Sequence, residues 1–158
     1  MMRGKLVSES ALDNQRQAVR PEDLNDQGTV FGGHVMSLTD VTAAMAARRH
    51  AGRPCVTASI DSLHFISPIY LKEDIVLYAA VNRAWKTSLE VGVKIFAENP
   101  YNGERRHVAS AYLTFVALDE NNRPTAVPPL IPDTYAEHRR YEEADQRRAV
   151  RLKLRKQK

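Results

Sequence analysis

The chain has 158 residues, 43% hydrophobic and 27% charged, with a net charge of +4, which suits one soluble globular domain (residues 1–158) built on a single core. The opening MMRGKLVSES carries no apolar stretch of a secretory signal, and no run approaches the roughly 18–20 apolar residues that span a bilayer, so export and membrane insertion are not expected. The single cysteine, Cys55, rules out an intramolecular disulfide, fits a reducing cytoplasm, and reads as a small buried filler at a strand start rather than a nucleophile.

In chain order, Ser8 to Val19 is a candidate first strand. The segment Asn25 to Asp40, NDQGTVFGGHVMSLTD, follows. It sets a carboxamide (Asn25), a glycine (Gly28), a glycine pair (Gly32-Gly33) and one carboxylate (Asp40) at fixed spacing. From Gly33 through Arg49 neither Pro nor a further Gly interrupts Ala, Met, Leu and Val, which predicts a helix. A helix that starts at Gly32-Gly33 leaves its first amides unpaired, and its dipole adds positive charge there, so the turn can stabilise an oxyanion. His34, beside the glycines, is placed to touch a substrate but reads first as a cap or surface residue.

Asp40 is the odd residue on this helix. Met36, Ala43, Ala44 and Ala47 share its face, and Val35, Leu38, Thr42 and Met45 form an opposite stripe that is also largely apolar. Such a pattern predicts burial all round, where a carboxylate needs a partner or a task. It is either a structural Asp bonded to a buried amide or a catalytic group, and Asn25 with the glycine pair favours chemistry. At about 1.5 Å per residue, Asp40 lies roughly 10–12 Å along the axis from those glycine amides. A group that acts on a carbonyl must come within about 3 Å. If Asp40 is catalytic, the carboxylate serving one turn belongs to another copy of the chain.

Four strands follow. Val56 to Ile60, Ile75 to Val81, Leu89 to Ala97 and Val108 to Leu118 alternate apolar and polar residues. Ser67-Pro68, Asn82-Arg83 leading to Lys86-Thr87, and Asn99 to Gly103 supply turns, and such short connections call for antiparallel pairing. The expected architecture is α+β: a long buried helix wrapped by an antiparallel sheet, with a core from about 8 to 118 and a connector plus basic helix over 119–158. Pro128, Pro129 and Pro132 mark the connector, and Asp133-Thr134 can cap a last helix from Tyr135. That helix is polar all round, so it bridges subunits, holds a ligand or is loosely ordered. From Arg139 to Lys158 there are nine basic residues against three acidic ones, a net +6. The excess suits a polyanion (nucleic acid, acidic membrane or a phosphorylated ligand) or a solvated terminus.

Several chemistries lack their residues. His34, His50, His64, His107 and His138 are scattered without metal-ligand spacing, so no metal is expected. G-x-S-x-G, P-loop and G-x-G-x-x-G patterns are missing.

The constellation N-x-x-G-x-x-x-G-G-x6-D ahead of four antiparallel strands resembles the hotdog-fold acyl-CoA thioesterases, in the cytosolic branch that includes bacterial YciA-like enzymes and the brain-type acyl-CoA hydrolase. The resemblance extends through His64-Phe65-Ile66-Ser67-Pro68-Ile69, Lys86 to Val91, Ala97-Glu98-Asn99, Ala111 to Leu118 and Val127 to Leu130. Phe31 stands where relatives often have His, a change expected to matter little because the turn's backbone does the work.

The resemblance implies hydrolysis of acyl-CoA to fatty acid and coenzyme A. Asp40 would be general base or nucleophile, and Asn25 from the facing protomer would orient water or bind the carbonyl oxygen. Gly33, or Gly32, would polarise that carbonyl. Lys86, Thr87, Ser88 and tail arginines such as Arg147 and Arg148 would contact coenzyme A. No cofactor beyond this substrate is implied, nor any nucleic-acid partner. The implied assembly is a dimer with composite sites, packed as hexamers. The alternatives are a non-catalytic acyl-CoA-binding regulator and another hotdog enzyme such as a hydroxyacyl dehydratase, whose G-H-F-P segment this chain lacks.

Overall fold

Odd-numbered residues of the central strands point into one core: Ile75, Leu77, Ala79 and Val81, then Leu89, Val91, Val93, Ile95 and Ala97, are all buried. In the computed structural model, which describes all 158 residues, these belong to β4 (Asp74–Ala84) and β5 (Ser88–Glu98). Around them stand β2 (Leu12–Ala18), β3 (Cys55–Phe65) and β6 (Arg105–Ala117). The helix α1 (Gly32–Ala51) lies on one face of the sheet and α2 (Tyr135–Lys156) on the other. Short β1 (Lys5–Leu6) and β7 (Leu130–Ile131) pair in parallel and tie the termini of the core together. The first long strand is shorter than Ser8 to Val19, because Val7–Glu9 form a 3-10 turn.

The five-stranded sheet has the order β2-β4-β5-β6-β3, and every neighbouring pair is antiparallel. One sequence expectation needs correcting. The connection after β3 is no hairpin: β3 pairs with β6, not with β4. The eight residues between β3 and β4 are long enough to cross the end of the sheet, so β3 becomes a free edge of 11 residues.

Small residues let α1 settle close to the sheet: Ala43, Ala46 and Ala47 are fully buried, with Val35 beside them. Gly52 ends the helix at φ 69°, its amide donating to the Arg48 carbonyl at 2.8 Å. The expectation of a helix buried all round is overturned for the single chain. Phe31, Gly33, Met36, Ser37 and Val41 are exposed and Asp40 is half-buried. An apolarity count does not distinguish residues that pack in the core from those left at the surface, and this stripe is of the second kind.

His50, near the end of α1, is fully buried; its Nε2 lies 2.8 Å from the Pro128 carbonyl and its Nδ1 has no partner. Burial pushes its pKa below the usual 6.5, partly opposed by the Pro128 hydrogen bond. The folded protein then binds fewer protons than the unfolded chain below about pH 6.5, so stability falls as pH drops through that value. His50→Gln keeps a donor and removes the titration. Melting temperatures at pH 7.5 and 5.5 should therefore differ less in the variant than in the wild type; an equal difference removes His50 from the acid response.

The last helix is neither loose nor free. Thr134 caps it, accepting the Glu137 amide at 3.2 Å, while Glu137 returns to the Thr134 and Asp133 amides. Its docking is electrostatic, which apolar periodicity does not reveal. Arg147 forks onto Glu90 at 2.7 and 3.0 Å and stacks 3.7 Å over the Tyr112 ring. Arg151 reaches Asp61, Arg83 pairs with Asp145, and Arg148 lies 4.6 Å over Trp85. No helix of the protein is long and apolar enough to cross a membrane.

Candidate active site

The Gly32-Gly33 turn is as the sequence requires. Phe31 precedes α1 without a side-chain cap, its carbonyl accepts the His34 and Val35 amides, and the Gly32 and Gly33 amides donate to no protein acceptor. Two rings bracket the turn. A Cβ on Gly32 would sit 3.6 Å from Phe65 Cζ, an ordinary contact, whereas one on Gly33 would collide with the Phe31 ring, 2.9 Å from its Cζ. The Phe31 ring is 59% exposed and lies over Gly33, so a side chain at 33 would displace that ring. His34 Nε2 lies 3.5 Å from Asp23 Oδ1, facing away from hydrogen-bond geometry.

Asn25 organises the loop before α1. Its Oδ1 accepts the Gln27 and Thr29 amides at 3.0 and 3.1 Å, and Nδ2 donates to Thr29 Oγ1 at 2.9 Å. With the oxygen occupied twice, the polar capacity left on this side chain is an N–H donor. An N–H suits a carbonyl oxygen better than a proton on an attacking water.

Asp40 has a partner that sequence reasoning missed. Thr57 Oγ1, on β3, donates to Asp40 Oδ1 at 2.7 Å, and Oδ2 makes no hydrogen bond. The bond fixes the carboxylate and leaves one oxygen for chemistry. No local pattern marks Thr57, because the pairing is made between a helix and an edge strand.

Within one chain these parts stand apart. Phe65, beside Gly32, pairs with Ala109 of β6, whereas Ser88 pairs with Val116. Seven residues at about 3.3 Å put ~23 Å between those ends. Thr57, which holds Asp40, pairs with Phe115, at the Ser88 end. Lys86 and Thr87 lie in the β4–β5 turn there and Ser88 opens β5, with Ser88 Oγ 3.4 Å from Arg148. Arg147 gives its Nε and Nη2 to Glu90, and its Nη1 makes no hydrogen bond. The Cys55 thiol is pushed up to about 11 by burial, against the pull of Arg48 and Arg53, which disarms it as a nucleophile. No three His, Cys, Asp or Glu side chains gather as a metal site.

Comparison with known proteins decides the family. The thioesterase superfamily model matches residues 27–104. An uncharacterised acyl-CoA thioester hydrolase of Bacillus subtilis is 44% identical over 119 residues, covering 75% of this chain and 69% of that protein. The chain belongs to the thioesterase superfamily. Mouse acyl-coenzyme A thioesterase 11 is 37% identical over 86% of the chain, which spans only 23% of that longer protein.

Among solved thioesterase structures, a hexameric acyl-CoA thioesterase crystallised in the apo state superposes with a TM-score of 0.92 at 38% identity, covering 97% of each chain. The Staphylococcus aureus acyl-CoA hydrolase in complex with butyryl coenzyme A, coenzyme A and coenzyme A disulfide gives 0.91 at 38%, covering 97% of this chain and 93% of that one. That hydrolase has also been crystallised with one aspartate, one asparagine or one threonine replaced by alanine.

Proposed function

We propose that this thioesterase hydrolyses acyl-CoA to a carboxylic acid and coenzyme A, in a site shared between two copies of the chain. The observation that carries the reading is the pair of free Gly32 and Gly33 amides, set apart from a Thr57-held Asp40 that has one oxygen unengaged. Relatives with this activity in their names support the substrate class. The three positions replaced in the S. aureus enzyme are separated by 15 and 17 residues, as are Asn25, Asp40 and Thr57.

In the proposed reaction the glycine amides and the spare N–H of Asn25 hold the thioester oxygen, where negative charge develops. Asp40 of another copy takes a proton from water; the water oxygen bonds to the carbonyl carbon. The C–S bond then breaks, and the thiolate leaves as coenzyme A thiol with the proton Asp40 returns. Water and these side chains suffice, without a metal or further cofactor. Direct attack by Asp40 Oδ2 uses the same geometry, and incorporation of 18O into Asp40 during turnover in labelled water would select it.

The assembly follows from the exposed surfaces. Edge β3 is long, carries neither Pro nor Lys, and exposes Val56 and Ile60, while α1 exposes Met36 and Val41. Such an edge calls for a strand of another copy. Antiparallel pairing of two β3 edges brings the Asp40, Thr57 and Lys86–Ser88 end of one copy to the Gly32-Gly33 end of the other. Lys86, Thr87, Ser88 and Arg148 then lie where coenzyme A would leave the site, and Arg147 keeps its bonds from α2 to Glu90. Packing of such dimers into a hexamer, as in the apo relative, and a cytoplasmic place of work complete the proposal.

The deciding assay is release of free coenzyme A from a panel of acyl-CoAs, followed by mass spectrometry. Turnover with acyl-CoA is expected. Tight binding without turnover would favour a regulator, and water addition to enoyl-CoA would favour a dehydratase.

A further inference from the structure

Each of the two side chains given a part in the reaction leans on a threonine hydroxyl: Asp40 on Thr57, and Asn25 on Thr29, whose Oγ1 accepts a hydrogen bond from Asn25 Nδ2 at 2.9 Å. We infer that Thr29 is a positioning residue for hydrolysis: its hydroxyl stops the Asn25 carboxamide from swinging and so aims the remaining Nδ2 hydrogen at the thioester oxygen. This rests on the thioesterase reading.

The carboxamide is held at both ends. The Gln27 and Thr29 amides donate to Oδ1 at 3.0 and 3.1 Å, which fixes the end that carries the oxygen but leaves that atom as a pivot. At the other end the bond to Thr29 Oγ1 stands alone, and the second Nδ2 hydrogen has no acceptor in the chain. Thr29 is itself braced. Its carbonyl accepts the Asn25 amide at 2.7 Å, Gly28 at φ 78° turns the chain back between the two, and an antiparallel bridge joins Thr29 to Tyr70. The Tyr70 amide donates to Glu73 Oε1 at 2.8 Å, and Arg106 donates to both oxygens of Glu73 at 3.0 Å. The hydroxyl is therefore a fixed stop on a supported loop. A displacement of about 1 Å at a reacting centre costs on the order of 100-fold in rate. Both side chains are half-buried, so losing the hydroxyl removes little packing.

The test is kcat and KM, on the acyl-CoA that the wild type turns over fastest, for Thr29→Val, Thr29→Ser, Asn25→Ala and the double variant Thr29→Val with Asn25→Ala. Valine keeps the shape and the backbone bonds and removes the acceptor. In Thr29→Val kcat should fall about ten- to a hundredfold. KM should stay within about twofold, the melting temperature should not move, and Thr29→Ser should recover most of the rate. Once Asn25 is alanine, Thr29→Val should lower the residual rate by less than about twofold, because the hydroxyl acts through the carboxamide. A full Thr29→Val loss in the Asn25→Ala background, or a wild-type rate in Thr29→Val, overturns the inference and leaves hydrolysis standing. No hydrolysis of any acyl-CoA by the wild type overturns the thioesterase reading and the inference with it. Should Thr29→Val fail to fold, Thr29→Ala takes its place in both backgrounds and the same outcomes decide.

Discussion

Asp40→Asn is expected to cut kcat for acyl-CoA by about 10²–10⁴-fold while leaving melting temperature and assembly unchanged, because it removes a general base and little else. Asparagine is nearly isosteric, and its Oδ1 still accepts the Thr57 hydroxyl that now lies 2.7 Å from Asp40 Oδ1. The side chain is half-buried, so no core contact is lost. Thr57→Val should leave the base in place but free to rotate, lowering kcat by less than Asp40→Asn with KM little changed, as expected for an interaction that matters in the transition state. Asp40→Asn activity within threefold of wild type would remove Asp40 from the mechanism.

The second large effect is on stability. Glu90 has a side chain with 0% exposure and depends on Arg147, with Asn82 Nδ2 at 2.9 Å as its other partner. Arg147→Ala strands this carboxylate and releases α2 from the Tyr112 ring. Losing one member of a buried ion pair costs about 3–5 kcal/mol. For a chain of this size that corresponds to a fall in Tm of roughly 6–20 °C. Glu90→Gln combined with Arg147→Met should recover much of the loss, since uncharged groups of similar volume carry no stranded charge. A drop under about 2 °C for Arg147→Ala would mean that α2 is held elsewhere, and the arginine would be free for coenzyme A after all.

Much of the fold was legible because period-two alternation and the Gly-Gly helix start are local signals. The β4 and β5 cores and the start of α1 followed from them, and the Thr134 cap followed from its residue type. What escaped was decided across the chain. The pairing of β3 with β6 depends on how the Ile66–Glu73 connector crosses the sheet, which the residues of β3 do not record. The exposed stripe of α1 looks identical to core when apolar residues are merely counted. Docking of α2 through Arg147, Arg148 and Arg151 hides in a pattern that reads as solvated charge. In the site, the Gly32-Gly33 turn, Asn25 and Asp40 declared themselves by spacing. Thr57 did not, because its only mark is a hydrogen bond between distant elements. The position of the Phe31 ring over Gly33 is likewise unmarked in the sequence.

The central claim, that Asp40 and the Asn25–Gly33 turn of one site come from different copies, is tested most directly by mixing. Asn25→Ala and Asp40→Ala chains, each nearly inactive alone, are refolded together and the mixed assembly is confirmed by native mass spectrometry. Each mixed dimer then holds one intact site and one with both defects. Activity should return to about half of wild type per mixed dimer, or about a quarter after random pairing. No recovery in confirmed mixed dimers would place both residues in one chain and contradict the shared site.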